Sequence, residues 1–95
     1  MNYNDFKAIS TEQLKHYNTI TMNECKKLLA EIKSIKLTEP QSYFLAMIIN
    51  VFMQDIKPYL KPTDLTRNEY IEVGIITYDY KEKLTDYLQE IKRTK

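Results

Sequence analysis

The sequence predicts an all-α protein, an up-down three-helix bundle with long helices. One glycine and three prolines in 95 residues are too few for the many turns of a β fold. A length of 95 residues also suits a single helical domain over residues 1–95. Helix starts are indicated by capping boxes, in which Ser or Thr is followed three residues later by Glu or Gln. The four copies are Ser10/Gln13, Thr21/Glu24, Thr38/Gln41 and Thr66/Glu69.

The first helix is predicted over residues 11–36, starting from the box at Ser10. Residues 18–21 are poor helix formers, and the box at Thr21 favours a break there, which would give four helices. One apolar face nevertheless keeps its helical phase through this region, so we favour one helix and regard the Thr21 box as a coincidence. The four-helix alternative stays open. The members of that face are Leu14, Tyr17, Thr21, Cys25, Leu28, Ile32 and Ile35.

The second helix is predicted over residues 39–57. It starts after Thr38, and Pro40 lies in its first turn, where the missing amide donor has little effect. Pro58 restricts the residue before it and ends the helix. Apolar side chains cover well over half of the circumference, which predicts neighbours on two sides and a central place in the bundle. They are Phe44, Leu45, Ala46, Ile48, Ile49, Val51, Phe52, Met53 and Ile56.

The third helix is predicted over residues 67–93, starting from the box at Thr66. Its core positions follow alternating spacings of three and four residues through three heptads. Basic residues in the last turn complement the negative end of the helix dipole. The core positions are Tyr70, Val73, Thr77, Tyr80, Leu84, Tyr87 and Ile91.

Composition excludes several classes of function. Fourteen basic and thirteen acidic residues nearly cancel, whereas a dedicated nucleic-acid binder needs a surplus of positive charge on one face. The longest apolar run, residues 43–50, is far shorter than the ~20 residues of a membrane span.

We therefore expect a cytoplasmic protein. Abundant Lys, Ile, Asn and Tyr suggest an AT-rich genome, such as that of a low-GC bacterium or its phage.

Residues that could carry catalysis are scarce, and we expect neither an enzyme nor a cofactor, metal or small-molecule substrate. His16 is the only histidine and has no second ligand at metal-binding spacing. Cys25 is the only cysteine, so no internal disulfide can form, and it lies on the apolar face of its helix. With Gly74 as the only glycine, no Gly-rich phosphate loop is available.

A second apolar face on the third helix is the feature that points to function. Three apolar residues project about 150° away from Val73, nearly opposite the core face. Such a stripe is typical of an interface with a protein partner or a second copy in a homodimer, although burial under the N-terminal segment would also explain it. The predicted partner-binding residues are Ile71, Ile75 and Tyr78, with Glu72 and Asp79 at the rim.

These observations predict a non-enzymatic protein-binding regulator or inhibitor, of the kind that phages and mobile elements encode. Two alternatives stay open. One is a helical bundle of the bacteriocin-immunity type, which is an analogy of size and helix content alone. The other is a small DNA-binding regulator that uses the basic second half of the first helix, at Lys26, Lys27, Lys33 and Lys36.

Overall fold

A computed structural model describes residues 9–93, which form three α-helices and no strand. They are α1 (Thr11–Lys33), α2 (Glu39–Ile56) and α3 (Arg67–Arg93), and a single 3₁₀ turn, Lys57–Tyr59, follows α2. This confirms the all-α three-helix bundle. The molecule measures 43 × 23 × 19 Å, so its long dimension is close to the roughly 40 Å length of α3.

Three of the four capping boxes form at helix starts. At Ser10, Thr38 and Thr66 the hydroxyl accepts a hydrogen bond from the amide three residues later, at 3.2, 3.3 and 3.2 Å respectively. The Glu or Gln side chain at that position accepts from the cap amide in return. Thr21 instead lies buried inside α1, and its hydroxyl donates to the carbonyl of Tyr17 at 3.0 Å. The fourth box is therefore a coincidence, and the four-helix alternative is wrong.

The first helix ends at Lys33, three residues before the predicted end at 36. The amide of Ser34 donates to the carbonyls of the last turn, and its hydroxyl donates to the carbonyl of Glu31 at 2.6 Å. Ile35 and Leu37 then pack against the core. The apolar period continued through residue 35 because these side chains are needed in the core, although the backbone there has already left the helix.

The third helix, and not the second, lies at the centre of the bundle. α3 packs along both other helices, whereas the backbones of α1 and α2 approach each other only marginally. α1 runs parallel to α3 in a constant register, since two hydrogen bonds join residues that are both 52 positions apart. The Asn18 side-chain amide donates to the carbonyl of Tyr70 at 3.1 Å, and the Cys25 thiol donates to the carbonyl of Thr77 at 3.7 Å. The predicted central place of α2 is thus wrong.

The core consists of two groups of buried side chains. The larger group joins all three helices, and five of the seven core positions predicted on α3 are buried. The smaller group pairs Leu14 of α1 with Ile71 of α3, and half-buried apolar residues surround it. The five buried positions are Thr77, Tyr80, Leu84, Tyr87 and Ile91.

The second helix contributes only one stripe to the core. Its buried side chains are Leu45, Ile48, Phe52 and Ile56, spaced three or four residues apart as on one helical face. Since only α3 covers this helix along its length, most of its other apolar residues remain exposed, and Ile49 is partly buried against the core. The broad apolar surface of α2 thus includes an uncovered outer side, whereas the sequence suggested neighbours on two sides.

Candidate protein-interaction surface

The outward side of α2 carries large exposed apolar side chains. Tyr43, Phe44, Met47 and Val51 are 70%, 55%, 49% and 43% exposed. On a helical wheel they lie within about 60° of Met47, together with two exposed neutral polar residues. We call this surface the α2 face; it consists of Tyr43, Phe44, Met47, Asn50, Val51 and Gln54.

The α2 face is uncharged as well as exposed. Residues 40–54 contain no Asp, Glu, Lys or Arg, although 28% of the chain is charged. A solvated helix face in so charged a protein would carry several such side chains. The cores of protein interfaces, in contrast, are depleted in charge and enriched in Tyr, Phe and Met. The composition of the α2 face is therefore that of an interface core.

A groove of about 750 Å³ runs between the α2 face and the second half of α3. Tyr87 forms part of its floor: its ring stacks on Phe44 with centroids 5.9 Å apart, and its hydroxyl donates to the carbonyl of Gln41 at 2.5 Å. Burial raises the pKa of the Tyr87 hydroxyl, which keeps it a donor. Charged residues on α3, namely Lys83, Asp86 and Glu90, lie along the far edge.

Two aromatic rings hold α2 on α3 next to this groove. Phe52 stacks on Tyr80 with centroids 4.1 Å apart and planes inclined by 11°. Both rings are buried, and this burial raises the pKa of Tyr80. The inner side of α2 is thus well packed, so the exposure of its outer side does not result from loose packing of the helix.

The stripe predicted on α3 is largely covered by α1. Ile71 is only 1% exposed and packs on Leu14, so this residue lies in the core and not on the surface. Ile75 is half-buried against the same pair. The first half of α1 lies beside the first half of α3, which gives the second apolar face an internal partner. Residues 1–8, proposed as the cover, lie outside the described residues.

The remaining predicted residues belong to a smaller pocket. A cavity of about 290 Å³ is lined by Ile75, Tyr78 and Asp79 of α3, with further acidic side chains from Asp55 and Glu82. The negative charge of Glu82 is the main cause that raises the pKa of Tyr78. Three of the five predicted residues therefore meet at one place. Whether they bind a partner stays a prediction.

Glu72, the other predicted rim residue, does not line this pocket. It is partly exposed on α3, near the start of that helix. Asp79, which does line the pocket, pairs with Lys83 at 3.0 Å. The negative charge of Asp79 is thus partly neutralised by a lysine of the same helix.

The side chains singled out for possible chemistry within residues 9–93 are Cys25 and His16. Burial raises the pKa of the Cys25 thiol to about 11, so the nucleophilic thiolate is scarce at neutral pH. Within that range no group of three or more His, Cys, Asp or Glu side chains is arranged to hold a metal ion. His16 is exposed on α1.

Two further sequence expectations concern nucleic acid and membranes. The four lysines proposed for DNA binding are exposed, but Glu24 and Glu31 on the same helix form ion pairs with Lys81 and Lys92 of α3. This surface therefore carries charges of both signs. None of the helices within residues 9–93 has the length and apolarity needed to cross a membrane.

Sequence reasoning missed the α2 face, although a signal for it was present. A helix that is apolar over most of its circumference can be either buried on all sides or exposed at an interface. The uncharged run over residues 40–54 is common to both cases. Only the position of the helix at the side of the bundle distinguishes them.

Comparison of the chain with protein-family models, with curated proteins and with solved structures gives no match.

Proposed function

We propose that this protein is a non-enzymatic protein-binding domain, a regulator or inhibitor, that acts by burying its α2 face against another protein surface. The observation that carries the proposal is an exposed helix face that is apolar and free of charge. Five of the seven large apolar side chains exposed among residues 9–93 lie on α2. This concentration on one helix favours a binding function over random surface exposure.

The energetics are consistent with specific binding. Phe44, Met47 and Val51 are each about half exposed. Covering such a side chain adds about 1 kcal/mol, half of what full burial of a large apolar residue contributes. Tyr and Phe also lose little conformational entropy because they have only two rotatable side-chain bonds. A few such side chains at the centre of a patch commonly supply most of the binding free energy.

Other ligand classes fit the α2 face less well. Nucleic acid would require basic side chains, and residues 40–54 contain none. A small apolar molecule would need walls that enclose most of its surface. The walls at Phe44 and Met47 are about half exposed and leave the groove open on one side. An extended protein surface, such as a helix, suits an open groove of this kind.

Affinity capture with matched variants tests the proposal. The tagged wild-type chain, Met47→Glu and Ile20→Glu are incubated with extract from a low-GC bacterium. Ile20 provides the matched control, because it is an exposed apolar residue on α1, which hardly approaches α2. We expect Met47→Glu to lose the captured protein, with affinity weakened at least about tenfold, since it places a charge at the centre of the patch. Ile20→Glu should behave like the wild type.

Circular dichroism of the three proteins tests whether both substitutions leave the helices intact. Capture of the same proteins by Met47→Glu and by the wild type would contradict the proposed role of the α2 face. An additional variant, Asp79→Ala, tests the pocket that contains the residues predicted from the sequence. Loss of capture in that variant alone would show that the binding site lies on α3 and not on the α2 face.

A further inference from the structure

We propose that the α2 face binds a second copy of this chain, with the two α2 helices antiparallel about a two-fold axis near Met47. The inference rests on the proposed function and names the partner of the same surface. A two-fold interface uses one patch twice, so the patch must be complementary to itself. Both the spacing of the exposed side chains and the charges at the ends of α2 meet this condition.

The α2 face maps onto itself when α2 is reversed about Met47. Residues on the same side of the face, at similar distances before and after Met47, then oppose each other. Tyr43 therefore lies opposite Asn50 of the second copy, and Phe44 lies opposite Val51 of the second copy. Each large ring opposes a smaller side chain, an arrangement that lets facing layers interdigitate. The two Met47 side chains meet at the axis, where a flexible thioether adapts well to an irregular gap.

Charges at the two ends of α2 favour the antiparallel direction. Glu39 precedes Met47 by eight residues and Lys57 follows it by ten, and both project about 80° to the same side of the face. Lys57 retains right-handed helical angles, φ −51° and ψ −44°, although it follows the last residue of α2. Antiparallel pairing therefore brings Glu39 of each copy beside Lys57 of the other, whereas parallel pairing would bring like charges together.

Neither of these two side chains has an ion-pair partner among residues 9–93. They lie about 27 Å apart along their own helix, too far to pair with each other. The other charged residue within α2, Asp55, projects to the other side of the face and opposes the neutral Gln41 of the second copy. Two ion pairs between the α2 helices thus form per dimer.

The size of the face predicts a weak, concentration-dependent dimer. A helix about 27 Å long and about 10 Å wide has a projected footprint of roughly 300 Å². Stable interfaces commonly bury about 800 Å² per partner, so this interface belongs to the small class. Small interfaces are typical of weak, transient assemblies, so we expect dimers to form only at micromolar or higher protein concentrations.

Sedimentation velocity of the purified full chain, from about 1 µM to about 1 mM, measures the assembly directly. We expect the mass to rise from the 11.4 kDa of one chain to twice that value. Met47→Glu should raise the dissociation constant at least about tenfold, because two carboxylates meet at the axis. Ile20→Glu should dimerise like the wild type. A wild-type chain that stays monomeric throughout, or a Met47→Glu variant that dimerises normally, would overturn the inference.

A charge exchange tests the direction of the helices. Glu39→Lys and Lys57→Glu should each weaken self-association at least about threefold, because each variant alone places two like charges in contact. An equimolar mixture of the two variants restores both ion pairs and should associate about as strongly as the wild type. A mixture that associates no more strongly than its components would overturn the antiparallel pair. Circular dichroism monitors the helix ends, whose dipole interactions also change.

These results separate the inference from the proposed function. If the wild type is monomeric and Met47→Glu still abolishes capture of another protein, the second copy is excluded as occupant and the α2 face remains a binding site. That site would then accept an amphipathic helix of a different protein. If Met47→Glu changes neither assembly nor capture, both proposals fail.

Discussion

At the scale of single residues, polar side chains set the register between α1 and α3. Asn18 is 8% exposed, and its side-chain amide donates to the Tyr70 carbonyl while its Oδ1 has no hydrogen-bond partner among residues 9–93. A buried unsatisfied oxygen costs about 1–3 kcal/mol. Asn18 therefore contributes less to stability than an apolar residue could, but it penalises any shift of α1 along α3 that would break the remaining bond.

Glu69 links a helix start to the preceding loop. Its carboxylate forms an ion pair with Lys61 and accepts from the amide of Thr66 at 2.9 Å. The hydrogen bond from Lys61 is the main cause that holds the pKa of Glu69 below its ordinary value of 4.5, and the bond from the Thr66 backbone adds to it. A lowered folded-state pKa stabilises the fold at pH values above the unfolded-state pKa, and this contribution disappears as the pH falls through the folded-state value.

Replacement of the Glu69 carboxylate by an amide should therefore have a pH-dependent effect. Glu69→Gln retains an acceptor for the capping box but removes the charge. We expect a lower melting temperature than the wild type at about pH 7 and no difference at about pH 2, where both side chains are neutral. Thermal unfolding followed by circular dichroism measures this. Glu72→Gln is the control, since Glu72 forms no ion pair among residues 9–93. An equal loss in Glu69→Gln at both pH values would contradict the electrostatic account.

At the scale of elements, the same capping-box motif has a different role at a helix start and inside a helix. Thr38 satisfies an amide at the start of α2 that would otherwise lack a partner. The hydroxyl of Thr21 bonds to a carbonyl in the middle of α1, and a helix-interior carbonyl already accepts an amide from the next turn. The sequence motif is the same, but only the first hydroxyl completes the hydrogen bonding of a helix end.

The same substitution at these two positions should therefore give unequal results. Thr38→Val removes the cap and should destabilise the protein by about 0.5–2 kcal/mol. Thr21→Val preserves the shape of a buried side chain and removes a dispensable bond, so the free energy of unfolding should change by less than about 1 kcal/mol. Urea unfolding of both variants provides the comparison. A larger loss in Thr21→Val than in Thr38→Val would contradict this assignment of the caps.

At the scale of the whole molecule, the three helices are unequally supported. α3 is covered on two sides, whereas α2 has one extended neighbour and a free apolar face. Elements with fewer buried contacts open locally at a lower free energy than the remainder of a protein. α2 is therefore the helix best suited to adjust to a binding partner, and the one that gains most stability when it is covered.

Amide hydrogen exchange should reveal this difference. In dilute protein, or in Met47→Glu, the α2 amides should exchange through an opening at least about 1 kcal/mol lower in free energy than those of α1 and α3. In concentrated wild type, the α2 amides should become protected as the dimer forms. If all three helices share one opening free energy at every concentration, the bundle opens as a single cooperative unit and the prediction for α2 is wrong.

Much of the fold could be predicted because its signals are local. The starts at Ser10, Thr38 and Thr66 depend on side chains three residues apart, and the third helix carried its core pattern without interruption. The end of α1 was less predictable. Ile35 continues the apolar period from outside the helix, since core packing requires an apolar side chain there whatever the backbone conformation.

The candidate site could not be predicted in the same way. Ile71 and Met47 are both apolar residues on a secondary face of an amphipathic helix, and their local patterns give no reason to treat them differently. In the structure Ile71 is 1% exposed beneath α1, while Met47 is 49% exposed. The difference depends on which helix occupies the centre, a property of the pairing of all three helices.

The sequence by itself determined the all-α class, the starts of the three helices and the absence of a charge between residues 40 and 54. These features follow from hydrogen bonds within a single turn and from composition. Only the tertiary structure decided that α3 lies in the middle and that α2 presents an uncovered apolar face. An apolar residue is compatible with any apolar neighbour, so hydrophobic periodicity defines the faces of a helix but leaves open what covers them.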